Sequence, residues 1–407
     1  MQTREAPVSP LDLTALEHAL REKVRGEVRF DEGSRALYTT DASNYRQVPL
    51  GVVLPKDAED VVETVAICRR FQAPLLSRGG GTSLAGQTCN VAVIMDMSKY
   101  MHTILELDPH TRLARVQPGL ILDDLRHAAE QHGLTFGPDP ATHNRCTLGG
   151  MIGNNSCGVH AQMAGKTADN IAEMEILTYD GLRMRVGPTS DTELEQIIQA
   201  GGRRGEIYAA LKQLRDTYAD HIRQRFPQIP RRVSGYNLDQ LLPENGFNVA
   251  RALVGTESTC VTVLEATTQL IHSPAARVLV VLGYPDIYSG CDQIPEILPY
   301  QPIGLEGFDD GLMNDIKRRG LHDEHIALFP AGRGWLMIEF GADQQEGALK
   351  QAHAFMQKMQ EQNPAPTIKL FEDSAQAQSI WLVRESALGA TALVPGEKPT
   401  WPGWEDS

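Results

Sequence analysis

The chain has 407 residues, with 38 Lys and Arg against 52 Asp and Glu, a formal net charge of −14. Apolar residues make up 42% and charged residues 22%, a globular balance that excludes intrinsic disorder and collagen. The acidic total also argues against general nucleic-acid binding, which needs a basic face to neutralise phosphates.

The arginine pairs Arg203-Arg204, Arg231-Arg232 and Arg318-Arg319 are isolated and read as solvated surface. The length suggests two or three domains at roughly 100–200 residues each. No run approaches the roughly 18–20 apolar residues of a membrane helix. The start, Met1-Gln2-Thr3-Arg4-Glu5, lacks the apolar stretch of a secretory signal. Six cysteines (68, 89, 146, 157, 260 and 291) form no C-x-x-C, which fits reduced thiols better than a disulfide framework or zinc site. The expectation is a cytoplasmic protein.

Ser9-Pro10 reads as a helix N-cap with proline at the first helical position, and Leu13, Leu16, Leu20 and Val24 form its apolar face. Gly51-Val52-Val53-Leu54 is a short buried strand. Asp57 then caps a helix with Val61, Val62, Val65 and Cys68 at the 3.6 period, and Leu75-Leu76-Ser77 is a strand again. This predicts a parallel, right-handed strand–helix–strand unit. Beyond a glycine loop at 79–86 come a strand at 91–97, strand-like stretches at 103–107 and 112–117, and a helix over 121–132. Residues 133–160 are loop-rich, and 171–178 with 182–186 form a hairpin closed by Asp180-Gly181. Helical patterns fill 192–224, and a long strand, 261–271, closes the first region. From Ser273-Pro274 the pattern restarts: strand 277–284, helix 286–298, strand 335–341, helix 345–361, strand 367–371, helix 375–386. That order predicts a second domain with a mostly antiparallel sheet.

The loop Arg78-Gly79-Gly80-Gly81-Thr82-Ser83-Leu84-Ala85-Gly86-Gln87 follows a strand directly, and its glycines let backbone N–H groups converge on an anion. It is not the dinucleotide fingerprint, because Leu84 stands where the third glycine belongs and a strand follows. Gly165-Lys166-Thr167 is not a P-loop, since His160 occupies its first glycine position; the spacing disfavours an NTP-binding reading. A second cluster, Cys146-Thr147-Leu148-Gly149-Gly150-Met151-Ile152-Gly153-Asn154-Asn155-Ser156-Cys157-Gly158, suits close backbone approach to a flat ligand. The turn Phe136-Gly137-Pro138-Asp139-Pro140 leads into it. Gly255-Thr256-Glu257-Ser258-Thr259 precedes the closing strand, and three such segments point to one large shared ligand.

Together these motifs resemble the FAD-binding domain of the vanillyl-alcohol oxidase/para-cresol methylhydroxylase superfamily. Within it, they are similar to the branch of D-lactate dehydrogenases, D-2-hydroxyglutarate dehydrogenases and glycolate oxidase subunits, over nearly all of residues 10–407. The resemblance implies an α+β fold. A two-lobed FAD-binding domain of the para-cresol methylhydroxylase type would span 1–272 (lobes about 1–98 and 99–272), followed by an incomplete α+β substrate (cap) domain over 273–407. It implies that Arg78, Gly79, Gly80, Gly81, Thr82, Ser83 and Gln87 hold the FAD pyrophosphate. Pro138, Asp139, Thr142, Thr147, Gly149, Gly150, Gly153 and Asn154 would lie along the isoalloxazine and ribityl side. Glu257 and Thr262 would add contacts, although Ser258 replaces the usual glycine and Cys260-Val261 the usual Leu-Gly. Thr82 stands where some relatives attach flavin through histidine, so non-covalent FAD is expected.

On the substrate side, Ile380-Trp381-Leu382-Val383-Arg384-Glu385-Ser386 resembles the family's W-x-x-R-E segment, whose arginine grips the substrate carboxylate with a bidentate fork. Arg384 is the expected catalytic-site residue. His322 and His325 could share a helix face as metal ligands, but a solvated pair is the simpler reading, and no metal is expected. His143 and His160 flank the second loop, with a structural hydrogen-bonding role as the simpler reading. The branch's H-x-G-D-G-N-x-H-like segment is missing, as is any C-x-x-C-x-x-C run for an iron–sulfur cluster. Trp401-Pro402-Gly403-Trp404-Glu405-Asp406 resembles the long bacterial members that continue into an iron–sulfur domain, so the resemblance implies a fragment of a longer enzyme. The expected activity is oxidation of a small D-2-hydroxy acid (D-lactate, D-2-hydroxyglutarate or glycolate class) by hydride transfer to FAD. Electrons would leave through an iron–sulfur or quinone-linked carrier, with membrane contact only peripheral and through partners. The alternative is a non-catalytic FAD-binding subunit of a multi-subunit oxidase.

Overall fold

The structure is a computed structural model that describes residues 11–392 and Gly396. Trp401, Trp404 and the segment around them lie outside the described residues. The fold is α+β, with three main sheets.

The first sheet contains β1 (Glu27–Arg29), β2 (Gly51–Leu54), β3 (Leu75–Arg78) and β4 (Val93–Asp96), in the order β1-β2-β4-β3. Its unit of β2, helix Ala58–Arg70 and β3 is parallel as expected, but β4 lies between the two strands and pairs with both. Asp57 caps that helix by accepting from the N–H groups of Glu59 and Asp60. The first helix, Leu13–Lys23, is capped by Asp12, three positions beyond the expected Ser9.

The second sheet is antiparallel. It contains β5 (Ile104–Asp108), β6 (Leu113–Val116), β8 (Ile171–Thr178), β9 (Arg183–Val186) and β10 (Val261–Gln269), ordered β5-β6-β10-β8-β9. The short β7 (Leu134–Thr135) pairs with β11 (Ile271–His272) beside it. Val61, Val65 and Met95 of the first sheet's layer bury against Leu177 and Leu264 of the second, so these two lobes share a core.

The third sheet contains β12 (Ala276–Tyr284), β13 (Gly304–Asp309), β14 (Gly334–Ala342) and β15 (Thr367–Phe371), antiparallel throughout in the order β13-β14-β12-β15. Along β12 the period of two divides the core. Leu279 and Val281 pack toward Ile380 and Val383 of helix Ser374–Ala392. Val278, Val280 and Leu282 pack toward Ala348, Ala352 and Phe355 of helix Gln345–Gln360. A strand covered on both faces shows no alternation, and 276–284 accordingly reads as a nearly continuous apolar run.

Two parts of this region differ from the sequence expectation. β13, with glycine at 304 and 307, carries too weak a strand pattern to be read, and it forms because β14 pairs with it over 304–309. The expected single helix at 286–298 is broken into Ile287–Cys291 and Ile294–Ile297, with Pro295 early in the second piece.

Candidate functional site

A cavity of about 1460 Å³ is lined by all three expected segments and by residues of the third sheet and its last helix. Its volume exceeds the roughly 300–1,000 Å³ of ordinary small-molecule sites.

The glycine loop leaves the end of β3. A Cβ at Gly79 would fall 2.0 Å from Thr147 Oγ1, and one at Gly80 would fall 2.3 Å from the Arg145 carbonyl. Glycine is required here because the second segment, through the Thr147 side chain and the Arg145 carbonyl, lies directly against the first. Among the described residues, the N–H groups of Gly80, Gly81, Thr82, Ser83 and Leu84 donate to no acceptor, which leaves a run of backbone donors for an anion. The Arg78 guanidinium is committed elsewhere: Nη2 donates to the Thr40 carbonyl (2.8 Å) and Nη1 to that of Thr88 (3.2 Å). It braces the loop base, and its charge still lies at the cavity wall.

The second segment is not a loop throughout. Residues Leu148–Asn154 form a helix capped by Thr147, whose hydroxyl accepts from the Gly150 N–H at 3.3 Å. Three glycines in seven residues argued against helix at about 1 kcal/mol each. Burial of Leu148, Met151 and Ile152, all on one face at i, i+3 and i+4, overrides that cost. Gly149, Gly150, Gly153 and Asn154 line the cavity, and a Cβ on Gly153 would meet nothing within 4 Å. Asn155 ends the helix in the left-handed region at φ 55°. The third segment docks on this end: Gly255 N–H donates to the Ile152 carbonyl (2.8 Å) and Glu257 N–H to that of Gly153 (3.0 Å). Glu257 Oε1 accepts from Gln87 Nε2 at 3.3 Å, which joins the first and third segments.

Arg78, Gly79, Gly80, Gly81, Thr82, Ser83 and Gln87 all line the cavity, as do Asp139, Thr142, Thr147, Gly149, Gly150, Gly153, Asn154, Glu257 and Arg384. Pro138 and Thr262 do not. Pro138 is buried behind Asp139. Thr262 alternates with Val261 and Val263, which do line the cavity, so the period of two turns it away.

The opposite wall is built from charged side chains. Arg384 Nη2 lies 3.2 Å from Glu306 Oε2 on β13, while its Nε is buried with no partner among the described residues. His160 Nδ1 meets Asp139 Oδ2 at 2.5 Å, and its Nε2 meets Glu339 Oε2 of β14 at 2.7 Å. Burial alone would lower the His160 pKa, but the two carboxylates outweigh it and raise it to about 9. Burial likewise works to raise Asp139 and Glu339, yet the imidazolium holds both below the usual carboxylate range. His143 is raised by Glu385 and, against burial, by Asp123, whose Oδ2 lies 2.7 Å from Nδ1.

Several lining residues carry no motif in the sequence. Arg277, Glu306 and Glu339 sit singly on strands, and Arg231, read as solvated surface, reaches Cys157 Sγ at 3.0 Å. Nothing in local sequence marks them: sheet pairing brings the three strand residues to the wall, and the turn after residue 230 brings Arg231. His322 and His325 stack at 5.6 Å away from the cavity, and His322 Nε2 meets Ser386 Oγ at 2.8 Å. No described helix is long and apolar enough to cross a membrane.

Comparison with known proteins gives two family matches: the FAD binding domain over residues 49–187, and the C-terminal domain of FAD linked oxidases over residues 273–407. D-2-hydroxyglutarate dehydrogenase of Pseudomonas putida is 30% identical over 94% of this chain and 39% of its own length. The glycolate oxidase subunit GlcD of Bacillus subtilis is 26% identical over 93% of this chain and 69% of its length. The chain thus spans well under half the length of the P. putida enzyme. Alkyldihydroxyacetonephosphate synthase shares the fold, with a TM-score of 0.64 at 16% identity over 93% of this chain and 68% of that one. Glycine-loop donors, a helix with a glycine face and a C-terminal wall of paired charges thus meet two matching family domains, and the chain belongs to the FAD-linked oxidases, in the branch of the D-2-hydroxyglutarate dehydrogenases and glycolate oxidase subunits.

Proposed function

We propose that the protein oxidises a small D-2-hydroxy acid of the D-lactate, D-2-hydroxyglutarate or glycolate class. The observation that carries this reading is that Arg384, paired on one side with Glu306, lines the same cavity as the glycine loop, whose N–H donors have no acceptor among the described residues. In this reading residues 1–272 hold the cofactor and residues from 273 onward hold the substrate.

The fit to FAD rests on the cavity volume, the N–H run from Gly80 to Leu84 that finds no acceptor among the described residues, and the open face at Gly153. The loop N–H groups would receive the pyrophosphate, while Gly149, Gly150, Gly153 and Asn154 would flank the ring system. Thr82 has no ring nitrogen, so attachment stays non-covalent. When bound, FAD supplies a hydride acceptor for the substrate C2. Arg384 takes the substrate carboxylate on the part of its guanidinium that faces the cavity, sharing its charge with Glu306, and so orients the C2 hydrogen. Asp139, with Oδ2 and Oδ1 both engaged by His160, holds the wall rather than the ligand. An iron–sulfur or quinone-linked carrier would take the electrons, with any membrane contact made through such partners.

The test is anaerobic mixing of the FAD-loaded chain with D-lactate, D-2-hydroxyglutarate and glycolate. Bleaching near 450 nm by at least one acid supports the reading. A flavin that stays yellow with all three supports the non-catalytic subunit instead.

A further inference from the structure

His143 and His160 are each placed between one carboxylate from the FAD-binding side and one from the C-terminal wall. His160 belongs to the segment after the glycine-faced helix, and Asp139 approaches it from the same side: Oδ1 accepts the His160 N–H at 3.0 Å and Oδ2 meets Nδ1. Glu339 comes from β14 in the third sheet, and its Oε2 meets Nε2. Both ring nitrogens are occupied and the residue is only 8% exposed. A histidine so placed has no free nitrogen to take a proton from a substrate hydroxyl.

The contact continues outward. The second oxygen of Glu339, Oε1, accepts from Trp381 Nε1 at 3.2 Å. Trp381 stands one turn before Arg384 on helix Ser374–Ala392, on the same face. The next residue, Glu385, lies 3.5 Å from His143 Nε2, and Asp123 holds the other side of that ring. The two halves also approach closely here: a Cβ on Gly304 of β13 would sit 3.0 Å from Val159 Cγ1. The helix that presents Arg384 is therefore tied to the FAD-binding side at two points, one on each side of the arginine in sequence.

We propose that His160 is a positioning residue: as a charged bridge from Asp139 to Glu339 it fixes, through Trp381, where Arg384 stands in the cavity. This rests on the reading that Arg384 grips the substrate carboxylate. The charged groups facing the bridge are Asp139, Glu339 and Arg277, whose Nη1 lies 3.3 Å from Nε2 and 3.5 Å from Glu339 Oε2; Arg126 acts on Asp139 from beyond. With a folded pKa about 9 against 6.5, the bridge is complete below 6.5 and is lost as pH rises through about 9.

The test uses the full chain loaded with FAD. Long-range ¹H–¹⁵N spectra of histidine-labelled protein should show both His160 ring protons retained up to about pH 9, and a neutral ring near pH 7 overturns the proposal without any substrate. His160→Gln and the milder Trp381→Phe, which keeps the packing, should raise KM for the preferred acid about tenfold to a hundredfold, with kcat changed by less than about threefold. FAD affinity should stay unchanged. Wild-type KM should climb as pH passes about 9, and the His160→Gln variant should lose that climb. Loss of kcat at unchanged KM overturns the proposal by making His160 a chemical participant. Parallel loss of FAD binding overturns it by making the role merely structural. A wild-type flavin that no acid reduces refutes the functional reading, while the ring-proton result still decides the bridge.

Discussion

The two walls of the cavity are built by opposite means. The FAD-binding wall is made mainly of backbone: N–H groups from Gly80 to Leu84 that are unpaired among the described residues, and a helix face of glycines that brings main chain to the surface. The C-terminal wall is made of side chains, with Arg277, Glu306, Glu339, Trp381 and Arg384 contributed by three strands and one helix. Backbone donors carry no formal charge of their own, and with Arg78 beside them they suit a large ligand that must always be bound the same way. A wall of paired charges is tuned by one residue at a time, and each pair constrains its neighbours. Changes on the first wall should therefore affect cofactor retention, and changes on the second should affect substrate handling.

The largest expected effect tests that division directly. Arg384→Met removes the fork and leaves Glu306 without its partner, so kcat/KM should fall by a factor equivalent to about 2–5 kcal/mol while FAD retention is preserved. Loss of FAD from this variant would erase the distinction between the walls. Next comes Gly80→Ala, whose new Cβ meets the Arg145 carbonyl at 2.3 Å. It should cost about 1–3 kcal/mol of stability and weaken FAD binding, read by denaturant midpoint and flavin absorbance.

A smaller effect is expected from His143, whose side chain is 25% exposed and so is screened by solvent. Its pKa is raised above 6.5, so its bridge to Asp123 and Glu385 is complete below 6.5 and is lost as pH rises through the folded value. Denaturant midpoints should fall as pH increases across that range, and His143→Gln should flatten the trend. The smallest concerns Ser258, which holds a left-handed backbone at φ 63°. Ser258→Gly should raise stability by about 1 kcal/mol with no change in substrate KM, because this segment belongs to the backbone wall.

Much of the backbone wall was legible in sequence. Consecutive glycines after a strand, and glycines with small polar residues in a second cluster, signal close main-chain approach without any knowledge of what is nearby. The reading erred where a local rule met tertiary packing. Leu148–Asn154 was read as loop because glycine opposes helix, and the buried Leu148, Met151 and Ile152 reversed that preference. Thr262 was read as facing the ligand because it sits near the third motif, and strand alternation places Val261 and Val263 there. On the other wall only the W-x-x-R-E segment had a sequence signal. Glu306 lies on a strand too glycine-rich to recognise, and Glu339 is a lone acid in an apolar run.

Taken alone, the sequence determined the acidic globular class, most of the strands and helices and the three backbone segments, and it pointed to Arg384. Each of these is encoded within a few neighbouring residues, through periodicity, glycine placement or a short motif. Only the tertiary structure decided which charges pair. Asp139 and Glu339 are 200 positions apart in the chain and meet on opposite nitrogens of one histidine. Such a pairing depends on sheet register and on how the two halves dock, and neither leaves a local trace in the sequence.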